Sequence, residues 1–588
     1  MRKSVIAIAI VVATFAAWIL IFGTGTKIYR FDGLEGPVAD TQLSVAVPAQ
    51  ISNYENGGTS RLAVLVTDPA SDWLGLVRGF KAHGIPFMMT QDPARALQHD
   101  VVLAYPSISG RSLSAPALRG LANHIRSGGT VVTFDLAGGG LGELFGVASQ
   151  AAGRSRSEIR WLDRSPDAKT RLTRFNSPRA EVQVGSNGIV PTTAVRMADF
   201  DDGTAAAVCR RVGGRACILG VDLGALTNRA MNGRAEQVSA EAVNSYDPGL
   251  DLIYRWIRDL YVQDEDMPYL IGTAPAGQEG SLILTHDVDF TRSVENAPLF
   301  AKAIRDRGQS ATFFIQTKVI RDWNDDVFFN DDNIAPLRDV GRDMEIASHS
   351  VSHSRTFTSF PLGSGSESYP DYRPFVQSAT ETRNGTLLGE LRVSRYLLEK
   401  ILAKHVVSFR PGYLANHAAL PEALATTRYR YSSTLTANTA LTHLPYQLAH
   451  ARSGNALVPV WEFPVTIEDE KPPRLGDRFD AAVEVIDNIA RDGGVAVVLI
   501  HPDMVGHKLR FEERLIDHYG KRLWIGSLGQ FGSWWSARSL AEVDFDGETL
   551  EVQAPEAVEN LVIRFPKTGK SLILDGIEGS RRIPVASR

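Results

Sequence analysis

The chain has 588 residues, a formal net charge of −5 at pH 7 and 44% hydrophobic residues. That length and apolar content allow several globular domains and exclude a mainly disordered chain. The near-neutral charge, with no long basic run interleaved with aromatics, excludes nucleic acid as the main partner.

In chain order, Met1, Arg2 and Lys3 precede residues 4–23, which are apolar apart from isolated Ser and Thr. That run is close to the ~20 residues needed to cross a bilayer core, and the basic residues before it favour a cytoplasmic N-terminus. Residues 1–23 are therefore expected to be a single-pass anchor in the inner (cytoplasmic) membrane, with the body in the periplasm or outside the cell. A cleaved signal peptide with secretion is the rival reading; bulky Trp18, Ile19, Leu20, Ile21 and Phe22 and the lack of an A-x-A site argue against it. Residues 24–60, rich in Gly, Pro and polar residues, are expected to be a stalk.

Strand-like runs at 62–67, 85–90, 101–105 and 130–135 alternate with helical segments at 73–83 and 116–126, as in a parallel sheet of βαβ units. A helix is expected near 249–262. The stretch LANHIRSGGTVVTFDLAGGGLGELFGV resembles the glutamine-amidotransferase-like domains that accompany carbohydrate-active enzymes. No cysteine lies at an elbow there, so residues 61–270 are expected to be a non-catalytic, flavodoxin-like or amidotransferase-like α/β domain, a candidate surface for an envelope partner. Cys209 and Cys217 flank Gly213 and Gly214 in an expected β-hairpin. A disulfide and two packed thiols are both open for them. Asp201 and Asp202, followed by glycine, read as turn chemistry.

The Gly- and Ala-rich stretch 271–280 marks a boundary. After it, polar motifs follow apolar runs. SLILTHDVDF sends Asp287 and Asp289 to one side of a strand end. MEIASHSVSHS places His349 and His353 four apart, so one helical turn or a compact loop aims both imidazoles at one point. Two histidines and a carboxylate suit a divalent ion such as zinc, with a position left for water and substrate. VVSFRPGY carries Arg410 and Tyr413, and VAVVLIHPDM carries His501 and Asp503.

Together, in this order over 281–538, these motifs resemble the polysaccharide deacetylases of the NodB-homology type, carbohydrate esterase family four. The resemblance implies a distorted (β/α) barrel and removal of acetyl groups, N-acetyl before O-acetyl, from a polysaccharide or peptidoglycan. It implies Asp287 as general base, with Asp289, His349 and His353 holding a divalent metal, zinc first. It further implies that Arg410 fixes Asp287, that the Tyr413 backbone N–H faces the oxyanion and that His501 is the general acid. Three departures stand out: Val288 separates the aspartates, Gly412 replaces a usual proline, and Tyr431 stands where the family has the aspartate that orients the histidine. Glu462 and Asp503 are the candidates to take over that last role. A non-catalytic polysaccharide-binding or scaffolding protein of an export system is the alternative function.

His286, His417, His443, His450 and His507 lack a partner motif; His286, between Thr285 and Asp287, is the one of these expected to line the site. In the long polar stretch after His353, Phe357, Phe360, Tyr369, Tyr372 and Phe375 either pack the loop or stack on sugar, and packing is favoured. Trp534 and Trp535 read as core. Residues 540–588 read as short strands forming a small β appendage.

Overall fold

The computed structural model describes residues 27–36, 39–43, 45–153, 156–162, 172–176, 183–232 and 243–585. The expected anchor lies outside them, and among the described residues no helix is long and apolar enough to cross a membrane.

Strands β1 (Leu62–Val66), β2 (Phe87–Thr90), β3 (Val101–Tyr105) and β4 (Thr130–Thr133) pair in parallel in the order β2-β1-β3-β4. Alternate residues of β1 enter separate cores: Val64 packs with Leu76 of α1 (Trp73–His83), and Leu65 with Leu121 and Ile125 of α2 (Ala115–Arg126). Helices on both faces explain why these strands read as unbroken apolar runs. The hairpin of β5 (Ala205–Val212) and β6 (Gly214–Leu219) continues the sheet, with β6 parallel to β4. Cys209 and Cys217 are directly opposed and joined by a disulfide, which settles the question the sequence left open. Asp202 pairs with Arg156 at 2.7 Å, and Asp201 accepts from the Ser157 N–H at 2.9 Å, so this acidic pair ties a turn. Helix α3 (Gly249–Asp264) packs back against α1.

A second parallel sheet runs β12-β11-β10-β9-β8-β7-β13, from β7 (Ser281–Val288), β8 (Thr312–Ile315), β9 (Glu345–Ser348), β10 (Ser408–Phe409), β11 (Tyr431–Ser432), β12 (Leu457–Glu462) and β13 (Val495–Ile500). Beyond β12 the chain reaches β13: Thr466 N–H donates to Val497 at 2.9 Å and Leu499 N–H to Ile467 at 2.8 Å, so the ends of the sheet meet. Parallel pairing puts every strand's C-terminal end at one edge, where the loops after β7, β9, β10 and β13 converge. Helices α4 (Leu387–Leu402) and α5 (Gly506–Tyr519) pack outside.

The appendage is made of antiparallel sheets. Leu561–Phe565 pairs with Lys570–Leu574 and with Leu270–Ile271; Thr549–Val558 pairs with Glu542–Phe545 and Ile577–Pro584. The strand at 270–271, expected to close the first domain, thus belongs to a sheet completed nearly three hundred residues later. The expected stalk is also docked: Tyr29 N–H donates to Val319, Thr41 N–H to Gly365 and Ala49 N–H to Asn455, each within 2.9 Å.

Candidate active site

Strand β7 delivers Asp287, and the next turn Asp289. Period-two alternation sends Thr285 and Asp287 inward and His286 outward. His286 is stacked on Phe313 (ring centroids 4.3 Å apart), and its Nε2 lies 3.2 Å from Glu512 of α5. The expectation that His286 lines the site is therefore wrong: it adjoins Asp287 in sequence, but its ring points to the other face of the strand.

Asp287 is buried beside the guanidinium of Arg410, whose Nη1 donates to Oδ1 at 2.7 Å. Arg410 is itself fully buried, and its remaining donors reach Thr285 Oγ1 (3.0 Å), the Ser433 carbonyl (3.1 Å) and Ser433 Oγ (2.8 Å). Burial pushes the Asp287 carboxyl up, but Arg410, with His349 and His501, outweighs it and holds the group below its ordinary value.

His349 and His353 follow β9 in a compact loop, not a helix: Ser350 has φ 67° and His353 φ 50°. The His349 Nδ1 donates to the Arg410 carbonyl at 2.8 Å, which leaves Nε2 as the lone-pair nitrogen. Burial lowers His349, and lowers His353 further with help from its charged neighbours, so both imidazoles are held neutral. One ligand atom each from Asp289, His349 and His353 lie within 4.8 Å of one another. Asp289 Oδ1 is buried without a hydrogen-bond partner. Burial and the nearby Asp287 push the Asp289 carboxyl up to about 7 despite His501. A buried carboxylate with an orphaned oxygen beside two neutral imidazoles is a donor set that a divalent cation completes.

Gly412 stands against His353, and a Cβ there would lie 2.5 Å from His353 Cδ2. In this arrangement a side chain at position 412 would collide with the ring, so the close approach of loop and imidazole depends on glycine. Tyr413, half exposed with φ 58°, lays its ring 4.7 Å from His353, and the Arg355 guanidinium sits 4.8 Å from the same ring.

His501, at the end of β13, is oriented by Asp469. The carboxylate accepts the His501 backbone N–H at 2.7 Å and Nδ1 at 2.7 Å, and is itself paired with Lys508 at 2.6 Å. Nε2 faces Asp289 Oδ2 at 3.8 Å. Burial lowers His501, but Asp469 and Asp289 outweigh it and raise the imidazole well above its ordinary value. Neither expected substitute does this. Glu462 accepts from the Thr434 and Leu435 N–H groups, Asp503 pairs with Lys508, and Tyr431 packs against Phe463. Sequence reasoning missed Asp469. Its only local signal is an acidic run after the strand-like VTI, and what places it beside His501 is the nonlocal pairing of Ile467 with Val498.

Phe357, Phe360, Tyr369 and Tyr372 are buried, so packing is the better account of the long loop. Trp535 is core. His417 and His443 make structural contacts, to Phe360 and Asp251.

Residues 275–432 match the family model described as polysaccharide deacetylase. This stretch is a polysaccharide deacetylase domain. The matched stretch holds Asp287, Asp289, His349, His353, Arg410 and Tyr413, whereas Asp469 and His501 lie beyond it. Among solved structures, the novel carbohydrate deacetylase Agd3 is 10% identical over 91% of this chain and 99% of its own, with TM-score 0.39. A family 4 carbohydrate esterase from Streptomyces lividans is 19% identical over 42% and 93%, with TM-score 0.26. The peptidoglycan deacetylase PdaC from Bacillus subtilis is 15% identical over 44% and 92%, with TM-score 0.27. No curated protein matches the chain.

Proposed function

We propose that the deacetylase domain is catalytically active and hydrolyses acetyl groups, N-acetyl in preference to O-acetyl, on an extracytoplasmic polysaccharide or peptidoglycan. The reading is carried by one observation: three ligand atoms within 4.8 Å, flanked by an Asp287–Arg410 pair and a His501–Asp469 pair. Asp289, His349 and His353 would hold a divalent ion, zinc first. Bound there, it would supply Lewis-acid polarisation of the acetyl carbonyl and a lowered pKa for water.

Asp287, kept ionised by Arg410, takes the proton from the attacking water. The Tyr413 backbone N–H faces the oxyanion that develops as the carbonyl carbon becomes tetrahedral. His501, held as the imidazolium by Asp469, gives its proton to the departing sugar nitrogen. A lone-pair-only carboxylate at one position and a protonated imidazole at another are the charge states this division of labour needs.

The meeting of 465–467 with β13 supports reading the sheet as a distorted barrel. The first α/β unit is taken as a non-catalytic amidotransferase-like domain and a surface for an envelope partner. The basic start and apolar run of residues 1–23 support a single-pass anchor with the body outside the cytoplasm. The Cys209–Cys217 bond fits an oxidising compartment.

The test is acetate release by the body from residue 26 on, from acetylated chitooligosaccharides and peptidoglycan fragments, with Asp287→Asn and His349→Ala beside the wild type. Release that needs metal and disappears in both variants supports the proposal. Metal binding without release on any glycan transfers the protein to the polysaccharide-binding, scaffolding class.

A further inference from the structure

In the turn that carries both metal-motif histidines, the His349 N–H donates to the Ile315 carbonyl of β8 at 3.0 Å, and beyond it side-chain oxygens accept the N–H groups. Ser350 N–H donates to Ser348 Oγ at 3.4 Å, and His353 N–H to Ser350 Oγ at 3.2 Å. The two central N–H groups, of Val351 and Ser352, donate to a single oxygen, Glu390 Oε2, at 2.7 and 2.9 Å. Glu390 projects from the first turn of α4 and is fully buried. Its other oxygen lies 3.1 Å from the Tyr372 hydroxyl. That hydroxyl also accepts the Thr386 N–H at 3.0 Å and lies 3.1 Å from the Thr386 carbonyl. Tyr372 belongs to the long segment after His353, and among the described residues the hydrogen bonds to the Glu390 carboxylate come from this turn and this tyrosine.

The turn needs such support. Ser350 and His353 both carry a Cβ at positive φ, a conformation that persists only where surrounding structure over-determines it. Two buried N–H groups without acceptors would favour a different turn, and a different turn would redirect the Nε2 atoms. A carboxylate accepting two N–H bonds is a stronger and more directional clamp than a neutral acceptor.

We propose that Glu390 is a positioning residue for the metal site: it fixes the His349–His353 turn in its ligating form, and Tyr372 links the long segment 354–386 to that same turn. The proposal rests on the reading of Asp289, His349 and His353 as metal ligands.

The experiment uses the full chain in detergent and Co²⁺ alone as probe, reading affinity by calorimetry and ligand geometry by the visible absorption of the bound ion. Wild type comes first: failure to bind Co²⁺ at Asp289, His349 and His353 removes the underlying reading and leaves nothing for Glu390 to position. With wild type binding, Glu390→Asp draws the oxygens back by one methylene. It is expected to weaken Co²⁺ binding about 10–100-fold, the usual effect of losing an outer partner of a ligand, and to change the absorption band. Glu390→Gln keeps an acceptor at the same place and is expected to recover most of the affinity. Tyr372→Phe, the mildest change, is expected to weaken binding about threefold, a fraction of that effect, and it decides the matter if Glu390→Asp does not fold. Unchanged affinity and band in folded Glu390→Asp, or in Tyr372→Phe where the aspartate variant is lost, would overturn the proposal, even if the melting temperature fell.

Discussion

At the residue scale the site is a set of opposed charge assignments. Asp287 is held ionised by a guanidinium that makes three further hydrogen bonds, while Asp289, two residues on, is pushed up to about 7 by burial and by Asp287. His349 and His353 are kept neutral, and His501 alone is kept charged. The last assignment depends on Asp469. Burial works against the imidazolium, and Asp469 is the largest influence on the other side. Asp469→Asn removes that influence, so the His501 pKa must fall and the acid form must be lost at lower pH. The expected result is a drop in kcat of roughly 10²-fold or more, within the range of general-acid contributions, with the alkaline limb of the pH–rate profile moved toward acid. An alkaline limb that stays in place in Asp469→Asn would show that this limb reports some group other than His501.

At the element scale, two loops meet at His353 and each leaves room for the other. The β9 loop carries the ring, and the β10 loop passes it at Gly412. Gly412→Ala would put a methyl group 2.5 Å from the imidazole, closer than packed carbon atoms come, so the ring or the Pro411–Tyr413 backbone must shift. The expected outcome is a loss of about 10²-fold in acetate release, the scale set by a ~1 Å misplacement of a catalytic group, with the melting temperature lowered by only a few degrees. Wild-type release from the alanine variant would mean that the loop yields freely and that Gly412 has no part in holding the ligand. The elements themselves were legible to different degrees. The strands of the first sheet follow from unbroken apolar runs closed by turn residues, and the helix at 73–83 from the alternation of such runs with a helical segment, because that information is local. Asp287, Asp289, His349, His353, Arg410 and His501 were legible because each follows a strand that could be recognised, and parallel strands present their C-terminal ends together. His286 was misjudged where alternation along the same strand should have decided. Asp469 and Glu390 could not be placed from local sequence: one reaches the site through pairing between 467 and 498, the other through a helix that passes beneath the loop.

At the scale of the whole molecule, the segment expected to be a stalk runs along the deacetylase domain. The Lys27 carbonyl accepts the Arg321 N–H, Ile28 bridges to Ile320, and Phe31 packs against Phe329 and donates its N–H to the Tyr369 hydroxyl at 2.7 Å. Thr41 and Ala49 continue the contact, and Ile51 is buried where the first sheet begins. The loop gripped by Lys27 and Ile28 also holds the site, since three residues after Arg321 the Asn324 side chain donates to the His353 carbonyl at 3.2 Å. A tether that ended in a free stalk would leave this loop unaffected by what precedes residue 52. A docked strap makes the loop depend on it, and only three residues separate Gly23 from Lys27, at most ~14 Å of extended chain. Two bodies of the protein distinguish these cases, one starting at residue 26 and one at residue 52. Removing the strap exposes the apolar surface under Phe31 and Ile51, worth ~1.5–3 kcal/mol for each large side chain. The shorter body is therefore expected to melt several degrees lower, to be cut faster by protease within 318–330 and 360–372, and to release acetate more slowly. Equal melting, equal cleavage and equal release in the two bodies would return residues 27–51 to the role of a passive stalk and detach the loop beside His353 from the segment that precedes residue 52.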